Sequence, residues 1–204
     1  MTSVIRVADP STRAPALEAT RQAWAAARPR ERGVALAAGF AVATGAVSWT
    51  MVAPVLVALA VGASVAALVP AAVVDLAERR LPNGIVLAAA VPVVVAGLVS
   101  ALSGDAAGGG AVVGAGLVAG PLLATHLMSP AGLGFGDVKA GTVLGGGLGL
   151  ISPVLSVAAL IVGLALTALV ALAAGRRTIP LGPGLVAGAV SALIGGRLLG
   201  VTPW

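Results

Sequence analysis

The chain has 204 residues, of which 59% are hydrophobic and only 9% are charged, and its mean hydropathy is +1.09. Soluble domains rarely have this composition, because about a quarter of their residues are charged. With no cysteine, the chain has neither a disulfide framework nor a thiolate metal site nor a thiol nucleophile. The composition therefore predicts a membrane protein built from apolar helices.

The net charge of +5 is the one property that would fit binding to nucleic acid. The basic residues, however, form short clusters between apolar blocks, and aromatic residues make up only 2% of the chain, too few for a platform that stacks bases. We therefore expect the lipid bilayer as a partner and no nucleic acid. The basic clusters are interpreted as determinants of membrane topology.

Residues 1–32 form the only extended polar segment, with six arginines against three acidic residues. This composition predicts a flexible, basic tail in the cytoplasm. The polar lead-in is long for a secretory signal peptide, so the first apolar block is interpreted as a retained helix, with cleavage near Ala46 as the alternative. Residues 33–204 then form a transmembrane domain.

The apolar run from Val34 to Val74 is about twice the length of one membrane span of ~20 residues, and the stretch 48–54 favours a turn. Two spans are therefore predicted there. Five more are predicted at Ile85–Leu102, Gly110–Leu127, Val138–Ile151, Val154–Ala174 and Pro183–Leu199. The result is an all-α, polytopic transmembrane helical bundle of about seven spans, or six if two of these blocks form one helix. The 29 glycines are interpreted as sites of close helix packing.

The basic residues give an independent test of the span count, because cytoplasmic loops are enriched in lysine and arginine. With the N-terminus in the cytoplasm, the second, fourth and sixth spans return to that side. Basic residues lie beside each return, at Arg79, Arg80, Lys139, Arg176 and Arg177, whereas the intervening turns have none. Arg197 is the exception. The pattern favours seven spans.

Beyond the tail the acidic residues are Asp75, Glu78, Asp105 and Asp137. A carboxylate at an apolar span is costly to bury and usually belongs to an ion pathway, a partner site or a reaction centre. Asp105 lies in a polar loop, where contact with water is enough to explain the presence of a charged residue. Asp75 ends the second span and Asp137 begins the fifth. Two crossings separate them, so both lie on the cytoplasmic side and can share one site.

Three short motifs follow one another along the chain. The first contains Asp75, Arg79, Arg80, Pro82 and Asn83, the second is a Gly-x-Gly-Asp sequence with Gly134, Gly136, Asp137 and Lys139, and the third covers residues 179–185. Together they resemble the motifs of the type IV prepilin peptidases, in which the third precedes the last span. The resemblance extends from about Ala53 to the C-terminus.

This resemblance implies an aspartic endopeptidase of the bacterial cytoplasmic membrane, without metal or cofactor. The expected reaction removes the leader peptide from pilin-like precursors, which serve type IV pilus assembly and protein secretion. Asp75 and Asp137 would be the catalytic pair, supported by Arg79, Arg80, Pro82, Asn83, Gly134, Gly136 and Lys139. The glycines would adopt conformations closed to other residues and admit the substrate. The oligomeric state stays open.

Two nearby carboxylates usually share one proton, so one can activate water while the other donates a proton. Helix dipoles favour an anion at Asp137, at a helix N-terminus, and disfavour one at Asp75, at a helix C-terminus. A competing explanation for Asp75 is an ion pair with Arg79, four residues further on. His126, the only histidine, is interpreted as a hydrogen-bonded boundary residue.

Two departures from the family and two other functions accompany this hypothesis. Larger members have a cysteine-rich domain and methylate the new N-terminus, which is not expected here, and compact members have six spans. A different Gly-x-Gly-Asp protease, similar to presenilin and signal peptide peptidase, would have Pro-Ala-Leu where this chain has Pro180-Leu181-Gly182-Pro183. A small proton- or ion-coupled transporter would use the two aspartates as proton or ion carriers.

Overall fold

The computed structural model describes residues 55–78, 81, 83–130, 132–175 and 180–201, and within these all regular structure is helical. The six helices are α1 (Val55–Glu78), α2 (Asn83–Leu102), α3 (Ala106–Met128), α4 (Phe135–Gly149), α5 (Pro153–Ala173) and α6 (Gly182–Leu198). They occupy the places of the second to seventh predicted spans. The predicted all-α bundle is confirmed, while the tail and the first predicted span lie outside the described residues.

Four of the six helices, α1, α2, α3 and α5, are long and apolar enough to cross a membrane. Helix α6 is apolar but has only 17 residues, and α4 has 15. Membrane spans have about 17–25 residues, so α6 is at the lower limit of this range and α4 is below it. The protein is therefore a polytopic membrane protein in which two of the described helices are short.

Helix ends follow the turn residues in the sequence. Gly104 has a positive φ of 72° beyond the end of α2, and the Asp105 carboxylate accepts a hydrogen bond of 3.1 Å from the Ala107 N–H at the start of α3. This is an ordinary N-terminal cap. Pro153 opens α5, and Gly175 follows its end with a φ of 61°. Asp105 thus has a structural role at the turn between α2 and α3.

Helix α4 lies at the centre of the described bundle. It packs against each of the other five helices, and these five form a closed ring in the order α1, α2, α3, α5, α6 and back to α1. Most of its side chains beyond the first turn are buried, including the whole stretch 144–149. Because protein and not lipid surrounds α4, its polar first turn and short length are tolerated.

Helices α3 and α4 cross with their backbones in contact. A methyl group on Gly114 would meet the Gly145 carbonyl oxygen and lie 2.6 Å from Ser156 Oγ, and a methyl group on Gly149 would meet the Gly110 carbonyl oxygen. The Ser156 hydroxyl donates a hydrogen bond of 2.8 Å to that same Gly145 carbonyl. Small residues are the usual means by which membrane helices approach this closely. The crossing fixes α4 within the ring.

Candidate active site

Two carboxyl groups from different helices lie near each other at one end of the bundle. Asp75 lies in the last turn of α1 and is only 5% exposed. Asp137 lies in the first turn of α4, and it is near enough to Asp75 for the charge of Asp75 to act on it. The chain segments that carry them are 62 residues apart, and the direct packing of α1 against α4 brings them together.

Asp75 receives a backbone hydrogen bond from a third helix. The Gly182 N–H, at the start of α6, donates to Asp75 Oδ2 over 3.2 Å. A methyl group on Gly182 would lie 2.8 Å from the same oxygen. The N-terminus of α6 therefore packs directly against the carboxyl group at the C-terminus of α1.

Asp137 lies outside the four helices that are long enough to cross the membrane, and its carboxyl group is only partly satisfied. Its Oδ1 is buried and has no hydrogen-bond partner among the described residues. Burial and, to a smaller extent, the negative charge of Asp75 raise the pKa of Asp137 from 3.8 to about 6, against the opposing effect of the Gly134 backbone. Asp137 therefore keeps a proton to a pH at which ordinary carboxyl groups have lost theirs.

Asp137→Asn is expected to stabilise the fold at neutral pH. The folded protein binds the Asp137 proton more tightly than the unfolded chain, so stability decreases as the pH rises from about 4 through about 6. The asparagine amide does not ionise, so the variant does not lose this stability as the pH rises. The thermal unfolding midpoint in detergent should be higher for Asp137→Asn than for wild type near pH 7, and the difference should vanish near pH 4. A lower midpoint for the variant near pH 7 would contradict the raised pKa.

A polar pair joins the first motif to the second. Asn83 is the first residue of α2, and its Oδ1 accepts a hydrogen bond of 3.1 Å from Lys139 Nζ on α4. The same ammonium group lies 5.0 Å from the centre of the Phe135 ring. The sequence predicts Lys139 and Asn83 as supporting residues of the site but not their pairing with each other. The bond ties the starts of α2 and α4 together beside Asp137.

The two glycines of the second motif have ordinary backbone conformations. The prediction that they adopt conformations closed to other residues is therefore wrong. Gly134 has φ −69° and ψ 142°, and Gly136 lies within α4 without a positive φ. At Gly136 the absence of a side chain leaves room for Leu81, since a methyl group there would lie 3.0 Å from Leu81 Cβ. Gly136 thus allows the start of α4 to approach the segment that follows α1.

His126 holds the turn that leads to the second motif. Its Nδ1 lies 2.7 Å from the Leu133 carbonyl oxygen, to which it donates, and its ring packs against Phe135 at 5.5 Å between centroids. This agrees with the interpretation of His126 as a hydrogen-bonded boundary residue. The turn from Ser129 to Gly134 is therefore fastened to the end of α3.

Three other predicted site residues are not among those that the structure describes. Arg79, Arg80 and Pro82 lie outside the described residues, and so does the competing ion pair of Asp75 with Arg79. The sequence points to Gly182 only as part of the third motif and does not reveal its contact with Asp75. The available signal was the position of that motif before the last helix, which places it at the same end of the bundle as both aspartates.

Comparison with known proteins supplies the family. The sequence profile of the Type IV leader peptidase family matches residues 62–174, more than half of the chain, and this range contains both Asp75 and Asp137. The third motif lies beyond the end of the match. No curated protein and no solved structure matches the chain significantly. The chain therefore belongs to the type IV leader peptidase family, and it is a membrane peptidase.

Proposed function

We propose that the protein is an aspartic endopeptidase that removes the leader peptide from pilin-like precursors, with Asp75 and Asp137 as its catalytic pair. The observation that carries this proposal is the proximity of two carboxyl groups from α1 and α4 in a family of leader peptidases. Asp75 is buried, and one Asp137 oxygen is buried without a partner among the described residues. Burial of such groups is costly, and ionisable residues in this position usually belong to a functional site.

The chemistry follows from one proton shared between two carboxyl groups. The ionised carboxylate accepts a proton from water while the water oxygen bonds to the carbonyl carbon of the scissile peptide. The protonated carboxyl group then donates its proton to the amide nitrogen as the C–N bond breaks. The pair again holds one proton, now on the other member. The raised pKa of Asp137, about 6, helps to retain this proton near neutral pH.

The proposed location is the cytoplasmic face of a bacterial inner membrane, with the N-terminus in the cytoplasm. Lys139 lies at the active-site end of the bundle, and Arg79 and Arg80 follow Asp75 in the sequence. Cytoplasmic boundaries are enriched in such residues. The expected substrate is a precursor with a basic leader before an apolar helix. Its scissile bond would meet the aspartates where that helix leaves the bilayer.

The direct test is co-expression with a candidate pilin precursor from the same genome, followed by mass measurement of the precursor. We expect a mass decrease equal to the leader, which is absent in cells that lack the peptidase. A cut within the apolar helix, or no cut in any precursor with a basic leader, would contradict the proposed substrate class.

The pair of Asn83 and Lys139 is expected to support cleavage without taking part in it. Asn83→Ala or Lys139→Met removes the hydrogen bond between α2 and α4, and each should reduce the cleavage rate about two- to fivefold, as for an exposed polar pair. The double variant should be no slower than the slower single variant, because both changes remove one interaction. Initial rates of leader removal in liposomes provide the measurement.

Arg197→Met is the matched control for that experiment, since Arg197 is an exposed cation in the last turn of α6, at the opposite end of the bundle. It should cleave at the wild-type rate. Losses that simply multiply in the double variant of Asn83 and Lys139 would show that the two side chains act independently.

A further inference from the structure

The start of α6 contacts the carboxyl group of Asp75. This segment lies beyond the residues that match the family profile. Gly182 lies 107 residues after Asp75 in the chain, yet its N–H donates to Asp75 Oδ2 in a buried hydrogen bond of 3.2 Å. The first N–H groups of a helix have no partner within the helix. The amide of Gly182 is therefore free to serve Asp75.

The absence of a side chain at Gly182 makes room for the carboxyl group. A methyl group there would lie 2.8 Å from Asp75 Oδ2 and 3.4 Å from Asp75 Cγ. Gly182 does not have a positive φ, so backbone conformation does not explain the glycine. Any larger residue would displace the carboxyl group from its present position.

The position of Gly182 is fixed by backbone contacts between α5 and α6. A methyl group on Gly184 would lie 2.9 Å from the Gly163 carbonyl oxygen, and one on Gly188 would meet the Ala159 carbonyl oxygen and lie 2.6 Å from the Gly163 nitrogen. Backbone atoms cannot rotate away as a flexible side chain can. The Gly182 amide is therefore presented to Asp75 from a rigid support.

Few other charges act on Asp75 from the described residues. Helices α2, α4 and α6 pack against α1. Helix α4 contributes Asp137 and Lys139 at this end, α2 has no titratable residue, and the only one on α6, Arg197, lies at its far end. Lys139 is bonded to Asn83. Lys139 keeps its positive charge in that bond, so the positive end of the α6 dipole and the Lys139 ammonium group together favour a negative charge on Asp75.

We propose that Gly182 is a positioning residue of the catalytic pair, whose backbone N–H and missing side chain hold the Asp75 carboxyl group in place and favour Asp75 as the ionised member. This inference rests on the proposed function. It assigns the shared proton to Asp137 and the activation of water to Asp75. The helix termini alone predicted the opposite assignment, because the sequence did not reveal that α6 begins against Asp75.

The test is the pH profile of leader cleavage, whose limbs belong to the pair of carboxyl groups and not to either alone. Loss of a hydrogen bond to the Asp75 carboxylate makes its protonation easier, so the acidic limb, in which mainly Asp75 ionises while Asp137 keeps its proton, should move to higher pH by about one unit in Gly182→Ala. The alkaline limb should stay in place, because Asp75 is ionised on both sides of it. Gly195→Ala, on the same helix with no atom within 4 Å of the added methyl group, should keep the wild-type profile. Gly108→Ala, at the opposite end of the bundle, would place its methyl group 2.7 Å from the Ala101 nitrogen, so it should lower the amount of folded protein but leave the limbs in place.

Replacement of Gly182 by glycolic acid isolates the hydrogen bond, because the resulting backbone ester has no N–H and adds no methyl group. It should reproduce the shift of the acidic limb even where Gly182→Ala fails to accumulate. A wild-type acidic limb in the ester protein, or an equal shift in Gly108→Ala, would overturn the role of Gly182. Cleavage by Asp75→Asn or Asp137→Asn would instead overturn the proposed function itself.

Discussion

Asp75→Asn and Asp137→Asn should each abolish leader removal, with rates at least roughly a thousandfold below wild type, while both proteins accumulate in the membrane. Each carboxyl group has a separate task in the proposed reaction, and an amide can neither accept the proton of water nor return one to the leaving nitrogen. The measurement is the mass of a co-expressed precursor, with the amount of membrane-inserted peptidase determined in the same cells.

Asp105→Asn is the matched control for the two aspartate variants. Asp105 caps α3 by accepting the Ala107 N–H, and asparagine caps helices about as well as aspartate does. The control should therefore fold normally and cleave at the wild-type rate. Persistent cleavage in Asp75→Asn or Asp137→Asn would exclude the proposed pair and favour a proton- or ion-carrying role for these residues.

Gly114→Ala should greatly reduce the amount of folded protein. Its methyl group would meet the Gly145 carbonyl oxygen and lie 2.8 Å from Gly149 Cα, so the backbones of α3 and α4 would have to separate. Overpacking of this kind costs about 1–3 kcal/mol and more where backbone atoms must move. The expected result is a lower thermal unfolding midpoint in detergent, together with a loss of activity in proportion to the loss of folded protein.

Gly116→Ala provides the matched control on the same helix, because nothing lies within 4 Å of a methyl group at that position. It should be as stable as wild type or slightly more stable, since alanine favours a helix more than glycine does. Equal stability of Gly114→Ala and Gly116→Ala would show that α3 and α4 do not cross as closely as described.

Much of the helical architecture could be predicted because each membrane helix is a long apolar block with recognisable ends. Predicted ends such as Leu102 coincide with those observed, and the predicted start at Ile85 lies two residues from the observed start at Asn83. Hydropathy cannot reveal, however, that α4 lies inside a ring of five helices. That arrangement depends on which helix faces carry glycine and pack against other helices, and hydropathy does not show this.

The two acidic residues of the candidate site could be predicted from the sequence, but the contacts that support them could not. A carboxylate at the end of an apolar span is rare enough to be noticed, which identified Asp75 and Asp137. The partners of Asn83 and Asp75 lie 56 and 107 residues away, and nothing local in the sequence connects them. Gly136 was noticed as a motif residue, but its close approach to Leu81 is a property of the assembled bundle.

The ring around α4 also limits which bonds of a substrate can be cut. Only the first turn of α4, with Asp137, lies at the end of the bundle, and deeper residues such as Leu144 and Leu148 are covered by the surrounding helices. A substrate helix that slides along the outside of the ring would meet no catalytic group on its way through the bilayer. In the proposed function the bundle therefore keeps the catalytic pair away from the apolar part of the substrate helix. Each precursor would be cut once at the membrane boundary and not trimmed progressively into its apolar segment.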